Sequence, residues 1–482
     1  MERRSPLRRR SRGDTGRLSP RVIVNIIQAA DLLVLLAAGL FVKVELKALY
    51  ATRSDGPLIL ATIAASVVTA ILLWRAHAYV LPSLHLVSTQ LRLLAFPLLA
   101  GTGALAASLF LLGDEAAPFR GWPFAWFLNS AVLLVVSRCV LGHVLRRWAK
   151  AGRLARRVAV VGVGDFSREF VARLRNDPQA YTIVGLYDDR SSRIPARQED
   201  IEVRGTVSDL LARSRQERID VIAIALPLSA VDRIAVILDQ IGSVVADVCL
   251  TTDLAGLRYT GSEFSAVGSN PVVLVKELPL KDWRAAKKHT FDTVLGSMLL
   301  LGLSPFLALV ALLIRLDSRG PVLFRQPRLG FNNRLFTCYK FRTMHDEMTD
   351  VMADQQTRRN DPRVTRVGKW LRRFSIDELP QLLNVLRGNM SLVGPRPHAP
   401  HTKAADQLYA DVVAKYAVRH RVKPGITGWA QVNGWRGETT SVEQIENRVA
   451  CDLSYIDNWS VWFDLRILFL TIVREILNPN AF

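Results

Sequence analysis

Four long apolar stretches dominate the first third of the chain, near residues 22–42, 58–80, 86–112 and 122–145. Each is long enough to cross a bilayer as a helix. Asn25, Gln28 and Asp31 fall at near-helical spacing in the first stretch, which predicts that they face other helices and not lipid. Residues 1–21 are rich in arginine and poor in hydrophobics, and read as a basic, disordered tail. Charge between the stretches is uneven. Arg146, Arg147, Lys150, Arg153, Arg156 and Arg157 follow the fourth stretch, whereas the loop at Asp114 and Glu115 has only Arg120. The first loop is mixed, with Lys43, Lys47, Arg53, Glu45 and Asp55. The positive-inside bias then sets both ends of the predicted bundle, 22–150, in the cytosol.

The pattern changes after residue 156. Val158-Ala-Val-Val-Gly162-Val-Gly164 predicts a buried strand entering a glycine turn, followed by a helix from Ser167 to Arg175. Further strands are predicted over Tyr181–Tyr187, which ends in Asp188-Asp189, and over Val221–Leu226. Residues 156–275 therefore read as a Rossmann-like α/β domain. The nucleotide fingerprint is degenerate, because Phe166 and Ser167 stand where more glycine is expected. A bound nucleotide and a spacer that kept only the fold are both open readings.

A fifth apolar run covers 293–314 and has cations on both sides: Lys287 and Lys288 before it, then Arg315, Arg319, Arg325 and Arg328. Ser304-Pro305 lies in its middle, where a missing N–H kinks a helix. These features predict a re-entrant helix that turns within the membrane and returns to the same face. A fifth full span is the alternative. The last apolar helix, Val461 to Leu477, contains Asp464, Arg466, Arg474 and Glu475 and suits the interface better than a span.

The 482 residues carry a net charge of +20. With this many apolar spans, the basic balance points to anionic membrane lipids and not to nucleic acid. The four cysteines, at 139, 249, 338 and 451, form no Cys-x-x-Cys pair. That excludes zinc ribbons and dithiol redox motifs and fits a reduced, cytosolic setting. His398-x-x-His401 lies in a proline-rich loop without a third ligand, so a surface or phosphate-side role is expected. The basic start runs into an apolar span without a cleavage pattern, so no cleavable signal peptide is expected.

The densest chemistry is Ser375-Ile-Asp377-Glu378-Leu-Pro380-Gln-Leu-Leu-Asn384, placed after Lys369, Arg372 and Arg373. Either Ser375 opens a capping box with Glu378, or Pro380 occupies the first helical position. Both put Asp377 and Glu378 near a helix N-terminus, where anions are favoured. Carboxylates held among cations stay ionised and can serve as nucleophile or metal ligand. Lys340, Arg342 and Arg396 are candidates for neutralising substrate phosphates, Arg396 in a loop stiffened by Pro395 and Pro397.

The order of these segments resembles a known family. Tyr339-Lys340-Phe341-Arg342-Thr343-Met344, Asn360 to Arg372, the Asp377-Glu378 pair, Gly394-Pro-Arg-Pro397 and Lys423 to Gly434 together look like the bacterial sugar transferases, the monotopic phosphoglycosyl transferases. The likeness covers 281–482, and what precedes it resembles the large members that start exopolysaccharide or capsule synthesis. The resemblance implies a four-span membrane α-helical bundle, a Rossmann-like domain and an α/β-type transferase domain with a re-entrant membrane helix, broken at Ser304 and Pro305. It implies transfer of a sugar-1-phosphate from a UDP-sugar to undecaprenyl phosphate on the cytosolic face of the bacterial inner membrane. Asp377 matches the family nucleophile, Glu378 its partner tied to Mg2+, and Arg372 an arginine associated with the lipid phosphate. Trp435 to Thr439 ahead of Asp452 resembles members that use UDP-glucose more than UDP-galactose, although Ala450-Cys451 departs from the pattern. A homodimer and contacts with other polysaccharide assembly proteins are partners that the resemblance allows. One rival is a membrane-bound dehydratase or epimerase using NAD, but no tyrosine here has lysine four residues on. Another is an assembly scaffold.

Overall fold

A computed structural model describes residues 20–46, 56–79, 84, 87–112, 119–150, 155–177, 181–190, 197–198, 201–251, 265–267, 270–346, 361–398, 403–404, 407–408, 416–435 and 441–477. They fall into two compact units, which divide at Ala155/Arg156, with 177–180 assigned to the first.

The first unit is four helices: α1 (Pro20–Leu46), α2 (Gly56–Arg75), α3 (Val87–Leu111) and α4 (Trp122–Lys150). Their ends lie within a few residues of the predicted apolar stretches. Hydroxyls in α2 are satisfied locally: Thr62, Ser66 and Thr69 each donate to the carbonyl one turn back, at 2.8 Å. Asp31 is buried and paired with Arg138 of α4. Asn25 and Gln28 line a cavity together with Val67, Ala70 and Trp74 of α2, so they face a neighbouring helix.

The second unit contains a six-stranded sheet. Its strands are β1 (Arg156–Val161), β2 (Tyr181–Tyr187), β3 (Val221–Ile224), β4 (Asp247–Thr251), β5 (Ser265–Val267) and β6 (Asn270–Lys276). Their order is β2-β1-β3-β4-β6-β5, parallel from β2 to β4 and antiparallel at β6 and β5. Continuous Val, Ile and Ala in β1 and β3 suit strands covered on both faces. The covering helices are α5 (Asp165–Arg175), α6 (Val207–Gln216) and α7 (Val231–Gln240).

Beyond the sheet, α8 runs unbroken for 36 residues, Asp282–Asp317, with Pro305 inside it. Pro305 cannot donate to the Leu301 carbonyl, and the Ser304 hydroxyl does so instead at 2.7 Å. An antiparallel hairpin follows, β7 (Leu323–Leu329) and β8 (Leu335–Phe341), then α9 (Arg366–Arg373) and α10 (Leu382–Leu386). The parallel pair β9 (Ser391–Val393) and β10 (Gly425–Thr427), the short α11 (Trp429–Val432), α12 (Val442–Asp457) and α13 (Val461–Leu477) complete the unit. A buried polar cluster ties the start of α8 to α13. Lys288 Nζ donates to Asp464 Oδ2 (2.8 Å), Asp292 Oδ1 (3.3 Å) and the Val393 carbonyl (3.0 Å). Tyr455 and Trp459 also donate to Asp464. Asp464, in a helix expected to lie at the interface, is thus wholly buried against α8.

Among the described residues, five helices are long and apolar enough to cross a membrane: α1 to α4 and α8. They tie the chain to a membrane.

Candidate active site

Asp377 and Glu378 sit between α9 and α10, in a 3-10 turn over Ile376–Gln381. Neither predicted helix start forms. Ser375 has φ 55° and its side chain makes no cap hydrogen bond, because a capping serine needs extended backbone. The tight turn has a consequence: with three residues per turn, neighbouring side chains diverge by about 120°. Glu378 points into the protein and is buried, while Asp377 is half-buried.

Glu378 is gripped by two cations. Arg396 donates to both carboxylate oxygens, Nη2 to Oε1 (2.7 Å) and Nη1 to Oε2 (3.1 Å). Lys340 Nζ donates to Oε1 (2.8 Å). Burial alone would raise the Glu378 pKa, but Arg396 and Lys340 overcome it and hold the group well below the usual carboxylate range. Asp377 accepts no hydrogen bond from the described residues. Burial pushes its pKa up, and the Glu378 charge adds to this, against the pull of Lys340, Arg372 and Arg396.

Local structure explains why these side chains meet. Lys340 lies on β8, opposite Phe324 of β7. The free edge of β8 is completed by one side chain, Asn384 of α10, which donates to the Thr337 carbonyl (2.7 Å) and accepts from Tyr339 N–H (3.0 Å). Arg396 sits in the loop after β9. That loop crosses the start of β10 so closely that a Cβ on Gly394 would lie 2.6 Å from the Lys423 carbonyl oxygen. Arg419 donates to the Arg396 carbonyl (2.9 Å) and Arg328 to the Pro397 carbonyl (3.2 Å). Arg419 is itself paired with buried Asp452 at 2.7 Å.

Arg372 is half-buried, donates to Thr343 Oγ1 (2.8 Å) and acts electrostatically on Asp377. Arg342 is not brought to the pair. Its guanidinium donates to the carbonyls of Arg319 (2.6 Å) and Ser318 (2.7 Å) just beyond α8, and is buried there. His398 is not at the surface, as had been expected. It is buried, 2.7 Å from Tyr416 Oη and 2.8 Å from Arg419. Burial, then Arg419 and Arg448, keep it neutral by holding its pKa well below the usual histidine value. His401 and residues 436–439 lie outside the described residues. Sequence reasoning missed Arg419 and Arg328. Arg419 stands just ahead of the Lys423-Pro-Gly segment, but nothing local marks it as buried.

Among the described residues, no group of three or more His, Cys, Asp or Glu could hold a metal ion. The acidic pair still suits magnesium, which takes one or two carboxylates and completes its shell with water and substrate phosphate. The Asp377 carboxylate accepts no hydrogen bond from the described residues and is available among them.

The glycine turn of the sheet is different. A phosphate would bind at the turn between β1 and α5, on backbone N–H groups. Here Gly162 N–H donates to the Tyr187 carbonyl (2.8 Å), Val163 N–H to Asp188 Oδ2 (2.9 Å) and Gly164 N–H to Ser167 Oγ (3.0 Å). Asp188 also accepts from Arg190 and Arg233. Burial raises its pKa, but the hydrogen bonds from Arg190 and Val163 outweigh this and hold it down to about 2. These three N–H groups of the turn are thus satisfied within the chain.

Comparison with known proteins gives two family matches. Residues 283–478 match the bacterial sugar transferase family, and residues 76–251 match a CoA-binding domain family. The chain is 42% identical over 412 residues to an undecaprenyl-phosphate glucose phosphotransferase of Komagataeibacter xylinus, covering 83% of this chain and 74% of that one. It is 38% identical over 360 residues to a UDP-glucose:undecaprenyl-phosphate glucose-1-phosphate transferase of Escherichia coli K12, covering 74% and 76%. An exopolysaccharide production protein of Rhizobium leguminosarum bv. phaseoli is 49% identical over 195 residues, 40% of this chain but 98% of that protein.

Proposed function

The chain belongs to the bacterial sugar transferase family, and we propose that Asp377 and Glu378 are its reacting pair. The enzyme transfers glucose-1-phosphate from UDP-glucose to undecaprenyl phosphate, releasing UMP. The names of the relatives above carry that activity. The single structural observation that carries the site is Glu378 held by Arg396 and Lys340 while the adjacent Asp377 stays uncommitted.

The chemistry follows from that asymmetry. An Asp377 oxygen attacks the sugar-bearing phosphorus, the bond to the bridging oxygen breaks, and UMP leaves with the electron pair. Undecaprenyl phosphate then attacks the same phosphorus and displaces Asp377. Two modest displacements replace one hard one. Glu378 cannot compete as nucleophile, since both its oxygens carry hydrogen bonds. Its role is to position Lys340 and Arg396 beside the diphosphate. Arg372 neutralises charge near Asp377 and suits the lipid phosphate. A magnesium ion, expected at Glu378, would here be held by Asp377, since the Glu378 oxygens accept from Arg396 and Lys340, and would supply further charge neutralisation.

We also propose that α8 is re-entrant and that the site lies on the cytosolic face of the inner membrane. Positions on both sides of Pro305 pack on neighbouring parts of one body: Gly296 near Val385 and Leu386 of α10, and Val310 and Ile314 with Leu371 of α9. Replacement of the missing Pro305 donor by Ser304 supports a bend there. UMP release from UDP-glucose, in membranes supplied with undecaprenyl phosphate, tests the function. An Asp377→Asn variant should be inactive, and full activity in that variant would refute the assignment.

A further inference from the structure

The sheet meets the transferase half of its unit at the C-terminus of α6. A helix leaves its last four carbonyls without partners of its own. Here the Arg213 carbonyl accepts from Glu217 N–H at 2.8 Å. The other three accept from side chains far along the chain. Asn332 Nδ2 donates to Ser214 (2.6 Å), Arg334 Nε to Arg215 (2.7 Å) and Arg334 Nη2 to Gln216 (3.4 Å). Every carbonyl of that terminus is thus accounted for, and the Arg334 charge faces the negative end of the helix dipole.

Both donors sit in the turn that joins β7 to β8. That turn holds two successive left-handed residues, Asn332 at φ 56° and Asn333 at φ 54°. Asparagine adopts this region readily, and a tight hairpin turn calls for it. The far end of α6 is fixed as well: Val207 N–H donates to Asp189 Oδ1 (2.9 Å), at the end of β2. So α6 is held at both ends, by the sheet at one and by the hairpin at the other. From the same turn β8 carries Lys340 to Glu378.

We infer that Asn332 and Arg334 are positioning residues for the transfer reaction: by capping α6 they set the β7–β8 hairpin, and the α/β sheet acts as a brace for Lys340. The closed glycine turn agrees with this, since the sheet keeps its fold while its ligand position is used internally. The inference rests on the reading of Asp377 and Glu378 as the reacting pair.

Asn332→Gly keeps the left-handed backbone and deletes the amide, and Arg334→Met deletes the guanidinium bonds to Arg215 and Gln216. In the full chain, each should lower kcat about 3- to 10-fold with the KM for UDP-glucose within about twofold. The acid limb of the pH profile should move up, because a displaced Lys340 no longer pulls the Asp377 pKa down. A change in the amount of folded protein would not move that limb. Arg334→Lys, which can still donate to Arg215, should recover part of the loss. The deciding measurement is a double-mutant cycle: in a Lys340→Met background, Asn332→Gly should have little further effect. If the two losses simply multiply, or if both single variants keep full kcat and an unmoved acid limb, the brace is refuted. If the unaltered chain releases no UMP, the functional reading fails and the brace falls with it. If the chain is active but the cycle is additive, only the brace falls.

Discussion

Removing the amino group of Lys288 is the sharpest test of how the membrane-facing helix is anchored. Lys288 is paired with both Asp292 and Asp464, and all three side chains are buried. Lys288→Met keeps most of the stem volume but strands two carboxylates. Removing one partner of a buried ion pair costs about 3–5 kcal/mol. Asp464→Asn should be far milder. It leaves one positive and one negative charge, and the amide oxygen can still accept from Tyr455 or Trp459, so about 1–2 kcal/mol is expected. The double variant returns the cluster to one net negative charge and should be less destabilised than the sum of the two. A chain of several units does not unfold in one step, so the readout must be local. Amide hydrogen exchange in α13 and the first turns of α8, on detergent-purified protein, gives that. The reasoning is wrong if Asp464→Asn loosens these helices as much as Lys288→Met does.

Other outcomes are expected at the site and around it. Arg396→Ala removes two of the three hydrogen bonds to Glu378 and should cost about 3 kcal/mol of transition-state stabilisation, roughly a hundredfold in kcat/KM for UMP release. Arg342→Met should instead lower thermal stability by about 1–3 kcal/mol and leave kcat/KM of the folded enzyme near normal, because its bonds go to carbonyls beyond α8. The nucleophile must be ionised and its pKa is raised, so the acid limb of kcat/KM should lie above the ordinary aspartate value of 3.8, with activity lost as pH falls through it. His420 is buried and its pKa is pushed down to about 3 from 6.5, so its stabilisation is complete above 6.5 and is lost on acidification. It should amount to about 2 kcal/mol by pH 5, seen as a lower thermal midpoint that His420→Gln makes less pH-dependent. A cysteine in place of exposed Leu335 should resist an impermeant thiol reagent in intact cells; labelling from outside would overturn the re-entrant topology.

Much of this protein could be read from residue pattern. Apolar length located α1 to α4, and unbroken Val, Ile and Ala located β1 and β3, because burial on one or both faces leaves a period in the sequence. Asp377, Glu378, Lys340 and Arg396 were all named beforehand, and the structure brings them together. Arg342 shows where the pattern runs out. It shares strand parity with Lys340, but β8 ends at Phe341, and alternation has no force beyond a strand. The cap at Ser375 failed for a related reason: a residue type suggests a cap, but its backbone angle is set by the chain on both sides. The supports under Arg396, namely Arg419 with Asp452, join segments far apart in sequence and buried against expectation for their charge. No local signal announces such a pairing.

The aspartate that closes the glycine turn has one more consequence. A ligand that binds only the folded state stabilises it by mass action, in proportion to its concentration. Asp188 takes the place of such a ligand covalently, as part of the chain, so its effective concentration never changes. The hydrogen bond that closes this turn therefore comes with the chain itself. A change in nucleotide concentration does not alter the bonds that Asp188 accepts from Val163, Arg190 and Arg233.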